Sequence, residues 1–244
     1  MPPFDLVAER DKGESAGLPC THCEQGGLAF CAGLSSEHIR RLTSILGQVQ
    51  VEPNTTVFRE GDPAQHLYSI GTGAVKLYKL LSDGRRQVTA FLFAGDFFGL
   101  ATHGVYAYTA EAMTSVHLCR FPRRKLEALF DEVPKLEKRL LGATIHELAS
   151  AHEQMLLLGR KTAREKVATF LVTLWARLVG DGEQPAQITL PMSRSDIADY
   201  LGLTIETVSR TLTMFKRESL ITLPDANHVA IKRHDALARI AEGS

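Results

Sequence analysis

Residues 192–221 read MSRSDIADYLGLTIETVSRTLTMFKRESLI and contain two short helical patterns joined by a Leu-Gly-Leu corner. Ser193, with Asp196 three residues on, has the form of an N-cap with a capping-box partner. Ile197, Ala198 and Leu201 give the first helix one apolar side, and Gly202 can take a positive φ to close the corner. Thr204 stands where the next N-cap belongs, followed by Ile205, Val208, Leu212 and Phe215 at helical spacing. Glu206, Ser209 and Arg210 lie on the outward face between them. A capped helix, a glycine corner and a second capped helix with polar residues near its start make a helix-turn-helix. Arg can bond guanine O6 and N7 together, Glu can accept from cytosine N4, and Ser suits either kind of base edge. Ser193, Arg194 and Thr204 flank this triad and are placed with it at the DNA.

Outward from that stretch, Val167, Phe170, Leu171, Leu174, Trp175 and Leu178 form an apolar helical stripe that predicts a packed helix. A polar turn follows over Gly180–Gln187, then the short strand ITLP. ITLPDANHVAIKR, from Ile221, reads as two strands around a turn, a wing beside the second helix. His228 at its tip is expected to face solvent or phosphate. Residues 160–244 are therefore taken as a winged helix-turn-helix domain.

The whole chain has 244 residues, 44% of them hydrophobic and 23% charged, with a formal net charge of zero. That composition is globular and excludes a polycation coating nucleic acid through bulk charge. Lys216, Arg217, Lys232 and Arg233 supply the local charge instead. The first residues, MPPFDLVAERDKGES, have no apolar leader core. The greasiest stretch, Thr89–Tyr108, is interrupted by Asp96, His103 and three glycines, so no membrane span is expected and a cytoplasmic location is. A Gly-rich phosphate loop, HExxH and GxSxG are all missing, and no enzymatic activity is expected. His146, Glu147, His152 and Glu153 are read as flanking positions of a helix rather than a metal site.

In a reducing compartment the four cysteines are not a disulfide framework. Cys20 and Cys23 are spaced to hold one metal centre, Gly26 and Gly27 let the chain turn back, and Cys31 follows. Cys119 lies far away in VHLCRF, which reads as a strand. Four thiolates match a tetrahedral zinc or an iron–sulfur cluster, and spacing alone does not choose between them. A short helix is expected from Leu34 to Leu46. Between Val51 and Phe121, short β-rich runs alternate with Gly-Asp, Gly-Thr-Gly and Asp-Gly turns, the pattern of an antiparallel roll with Phe58, Tyr68, Phe91 and Phe93 in its core. Pro134 opens a long helix. On it Leu141, Leu148 and Met155 recur every seven residues, as do Thr144, Ala151 and Leu158, which predicts a parallel homodimer seam. Leu140 and Ile145 are expected to face the roll, and Gly159 to end the helix. The fold class is α+β. Its parts are a cysteine-rich segment 1–33, a β-roll 34–133, a dimerisation helix 134–159 and the winged helix-turn-helix.

With those parts in order, the chain resembles the CRP/FNR transcription regulators from Cys20 onward. LGLTIETVSR, MLLLGRKTAREKVATFL, GTGAVKLYK and FLFAGDFFG carry the resemblance, and the cysteine intervals resemble the FNR branch in its FnrN/FnrL form. The resemblance implies that Cys20, Cys23, Cys31 and Cys119 hold an oxygen-labile [4Fe–4S] cluster. It implies too that Glu206, Ser209 and Arg210 read an inverted repeat of TTGAT half-sites in double-stranded DNA, and that the hairpin LSDGRRQ touches RNA polymerase. Ala151 stands where some members carry an acid that keeps the apo form monomeric, and Arg85 replaces an acidic residue of the hairpin. A cyclic-nucleotide sensor needs an Arg to pair the phosphate, and Gly99–His117 has neither Arg nor Lys, so no cyclic nucleotide is expected. Gating by haem, with Pro2 as a ligand, or by thiol redox at Cys20 and Cys23 are the alternatives within the family. A zinc-stapled DNA-binding protein without oxygen sensing is the alternative outside it.

Overall fold

The computed structural model describes residues 34–179 and 187–243. Cys20, Cys23 and Cys31, the cysteine-rich segment 1–33 and most of the turn 180–187 lie outside the described residues. The described residues begin with α1 (Ser36–Ser44), β1 (Gly47–Val51), β2 (Thr56–Phe58), β3 (His66–Thr72), β4 (Val75–Leu80) and β5 (Arg86–Leu92). They continue with β6 (Phe97–Phe98), β7 (Ala101–Thr102), β8 (Val105–Tyr106), β9 (Thr109–Ala112) and β10 (Val116–Pro122). Then come α2 (Arg123–Glu132), α3 (Pro134–Arg160), α4 (Ala163–Val179) and β11 (Ile188–Thr189). The last elements are α5 (Arg194–Leu201), α6 (Ile205–Arg217), β12 (Ile221–Thr222), β13 (His228–Ile231) and α7 (His234–Ala241). Packing divides these into two units. One takes the described residues up to Leu77 with Phe91–His146, and the other takes Tyr78–Ala90 with the residues from Glu147 onward.

The strands form the expected antiparallel roll, with sheets ordered β1-β10-β3-β6 and β2-β9-β4-β5. Alternation along β10 buries Val116 and Leu118, and Leu118 stands opposite Val49 and Ile70. Aromatic rings fill the interior: Phe58 stacks on Tyr106 at 3.6 Å between centroids, and Tyr68 stacks on Phe98 at 5.2 Å. The turn between β3 and β4 demands a glycine. Gly73 has φ +87, and a Cβ there would lie 2.4 Å from the Ser115 carbonyl oxygen.

A second apolar cluster lies outside the roll interior. Leu34, Leu42, Leu67, Phe121, Leu126, Leu129, Val133 and Leu136 are buried together, with Cys119 and Leu140 packed against them. It joins the chain entry, α1, β10, α2 and the first turns of α3. The helix α2 does not emerge from the sequence reading: its N-cap position is Pro122, and no side chain caps it. Arg123 anchors it, donating from Nε to the Ala64 carbonyl and from Nη2 to the Gly99 carbonyl, each at 2.8 Å.

Three details of α3 differ from expectation. Ile145 is 58% exposed and does not face the roll, whereas Leu140 packs as expected. Gly159 does not end the helix, which runs to Arg160; a glycine weakens a helix by about 1 kcal/mol without terminating it unless φ turns positive, and here φ stays negative. Leu158 is half-buried, its Cδ2 lying 3.2 Å from where a Cβ on Gly202 would sit. In the second unit, α4 packs on α7, and Val167, Phe170, Leu171 and Leu174 of α4 and Leu237 and Ala241 of α7 are buried. Trp175 is half-buried on His234 at 4.4 Å, and Leu178 is exposed rather than packed, because α4 is nearing its end there.

Candidate nucleic-acid interface and the setting of Cys119

The reading motif forms as its spacing predicts. Ser193 Oγ accepts from the Asp196 backbone N–H at 3.0 Å, and Asp196 Oδ2 accepts from the Ser193 N–H at 3.1 Å, a complete capping box. Gly202 closes α5 with φ 60, and Thr204 caps α6 by accepting from the Thr207 N–H at 3.2 Å. Buried Val208, Leu212 and Phe215 fix the inner face of α6, leaving Glu206, Ser209 and Arg210 exposed on its first two turns. Hydrogen bonds from its own backbone N–H and from Thr204 hold the Glu206 carboxyl below the usual carboxylate range, keeping it an acceptor.

The three flanking residues have structural duties. Ser193 and Thr204 spend their hydroxyls on caps. Arg194 donates from Nη2 to the Ala226 carbonyl at 3.1 Å, tying α5 to the wing, while burial lowers its pKa. The wing itself is the sheet β11-β13-β12, with Asp225 in its turn; His228 is not at the tip but opens β13, paired with Thr189 of β11. Asp225 accepts from the Asn227 N–H and lies 2.7 Å from His228 Nδ1; both interactions hold its carboxyl below the usual range. Lys216, Arg217, Lys232 and Arg233 are exposed, as a phosphate-contacting surface needs. Arg164 fixes the far end of α6 through a two-pronged pair with Glu218 at 2.6 and 2.7 Å.

On α3, Leu141, Ile145, Leu148, Met155 and Leu156 are each 57–64% exposed. Thr144 and Ala151 are exposed beside them. This is a long uncovered apolar face on one helix. Cys119 is half-buried on β10 between Gln48 and Ser69 of the neighbouring strands. It sits in the same apolar cluster as Leu34, only three residues after Cys31. Among the described residues no group of three metal-ligating side chains is present, and no helix is long and apolar enough to cross a membrane.

A winged helix-turn-helix carried with a β-roll and a long apolar-faced helix defines a DNA-binding transcription regulator, not an enzyme. Residues 48–133 match the family described as cyclic nucleotide-binding domain, and residues 165–240 the Crp-like helix-turn-helix domain. The transcriptional activatory protein AadR of Rhodopseudomonas palustris is 42% identical over 91% of this chain and 94% of its own. The transcriptional activator protein FnrL of Cereibacter sphaeroides is 37% identical over 87% of each chain. The solved structure of FixK2 from Bradyrhizobium japonicum matches with a TM-score of 0.75 and 37% identity, over 80% of this chain and 97% of that one. The chain belongs to the CRP/FNR family of transcription regulators.

Proposed function

We propose that this regulator answers to oxygen. In this reading Cys20, Cys23, Cys31 and Cys119 hold a [4Fe–4S] cluster. A homodimer with its cluster intact binds a TTGAT-type inverted repeat and controls anaerobic or microaerobic genes. The observation that carries the reading is the cluster of Leu34, Cys119, Val133 and Leu136. Leu34, three positions after Cys31 in the sequence, packs in the same cluster as Cys119. The donors are soft thiolates, which suit iron–sulfur centres. When bound, the cluster supplies lability toward oxygen.

The chain's own residues do the rest. Leu136 and Leu140 root α3 in the packing that surrounds Cys119, so order near that thiol bears on the helix carrying the apolar seam. Leu141, Leu148 and Met155 then cover one another across the two copies, and paired α6 helices meet half-sites about 34–36 Å apart. Glu206, Ser209 and Arg210 face the base edges. Leu80 and Leu81, 60% and 48% exposed beside the Asp83-Gly84 turn, offer RNA polymerase an apolar contact. In this reading no cyclic nucleotide takes part, because Gly99–His117 offers no Arg or Lys to pair its phosphate.

Purification without oxygen tests this. A brown protein with iron and acid-labile sulfide, bleached by air, is expected. A red preparation would point to haem, and a colourless one to zinc or free thiols; either would overturn the cluster.

A further inference from the structure

The helix-turn-helix is not completed by its own domain. The second unit contains the hairpin Tyr78–Ala90 as well as α5 and α6. Arg86 donates from Nε to Asp199 Oδ2 and from Nη2 to Asp196 Oδ1, both at 2.8 Å. Asp196, 5% exposed, is the capping-box residue of α5, and Asp199 lies one turn further on. Two carboxylates on one short helix repel each other and any nearby phosphate, and the guanidinium between them removes that repulsion.

The other end of α5 is completed in the same way. The last carbonyls of a helix have no partners within it. At the corner, the Gly202 and Leu203 N–H groups both turn back to the Ala198 carbonyl. The Asp199 carbonyl accepts instead from Gln87 Nε2 at 2.6 Å, and the Tyr200 carbonyl from Gln154 Nε2 at 2.7 Å. Arg86 and Gln87 thus hold both an acidic face and an open end of α5, and Tyr78 lies under the guanidinium at 5.5 Å.

We infer that Arg86, with Gln87, is a positioning residue for DNA reading: the hairpin sets the attitude of α5, and through the corner at Gly202 that of α6. This rests on α5 and α6 being the DNA-contacting pair and is independent of the cluster. A DNA-binding domain cut at residue 160 would lack Arg86, Gln87 and Gln154.

The test compares the full chain with Arg86→Ala, with Asp199→Arg, and with the double exchange Arg86→Asp/Asp199→Arg. Operator and non-specific DNA binding are read by anisotropy, and amide exchange of α5 is read without DNA. Arg86→Ala is expected to weaken operator binding about tenfold and speed α5 exchange to a similar degree, with non-specific binding little changed. The double exchange should recover most of both losses, which a merely destabilised chain would not do. Unchanged or tighter operator binding in Arg86→Ala, or no recovery in the double exchange, overturns the inference. Should Arg86→Ala not fold, the contrast between Asp199→Arg and the double exchange decides it alone. If the wild type shows no preference for operator, the DNA reading fails, while α5 exchange still reports on the clamp.

Discussion

The reading motif and the apolar cluster around Cys119 are held by opposite means. In the motif, each helix start is secured by a neighbour at most three residues away: Ser193 with Asp196, Thr204 with Thr207. Around Cys119 the contacts come from Leu34, Leu67, Phe121 and Leu136, drawn from four distant parts of the chain, and α2 has no side-chain cap. Local hydrogen bonds set the two helix starts, and the distant Arg86 and Gln87 add a hold on the body and end of α5. Burial shared among distant segments makes a joint whose order depends on everything that enters it, which suits a sensor.

Three substitutions sharpen that contrast, in falling order of effect. Leu148→Asp places charges on the uncovered face of α3, where the side chain is 57% exposed. It should leave the monomer's melting temperature near wild type yet weaken operator binding by about 10²–10⁴-fold, because the second reading helix is no longer tethered. Sedimentation should show a monomer; a stable dimer would contradict the seam. Leu136→Ala, at a fully buried position, should cost about 2–5 kcal/mol of stability in denaturant titration, since the cluster cannot close the cavity. Ser193→Ala should cost about 1 kcal/mol, the loss of one cap, because Asp196 keeps its contact with Arg86. A Ser193→Ala loss as large as that of Leu136→Ala would erase the distinction between the regions.

The same distinction explains what the sequence reveals. The capping box, the positive φ at Gly202 and the cap at Thr204 are legible because each is written within four residues. The turn glycines and β-rich runs announce the roll in the same way. The helix α2 is silent, since RRKLEALFDE follows a proline and begins without a capping side chain. Leu140 packs and Ile145 does not, a choice made by the cluster beneath α3 rather than by apolar spacing. The Arg86 clamp joins residues 110 and 113 positions apart, and nothing in RRQ announces it. Of the residues placed at the DNA, Glu206, Ser209 and Arg210 are exposed as read, and Ser193, Arg194 and Thr204 also make hydrogen bonds within the fold that their sequence positions show only in part.

Operator titration of the wild type and Cys119→Ser, in sealed cells before and after admitting air, tests the oxygen link most directly. The account predicts tight anaerobic binding by the wild type and a loss of about 5–150-fold on exposure, the usual range of coupling between two sites. Cys119→Ser should bind weakly under both conditions. Equal affinity for wild type and Cys119→Ser, with no response to air in either, would contradict it.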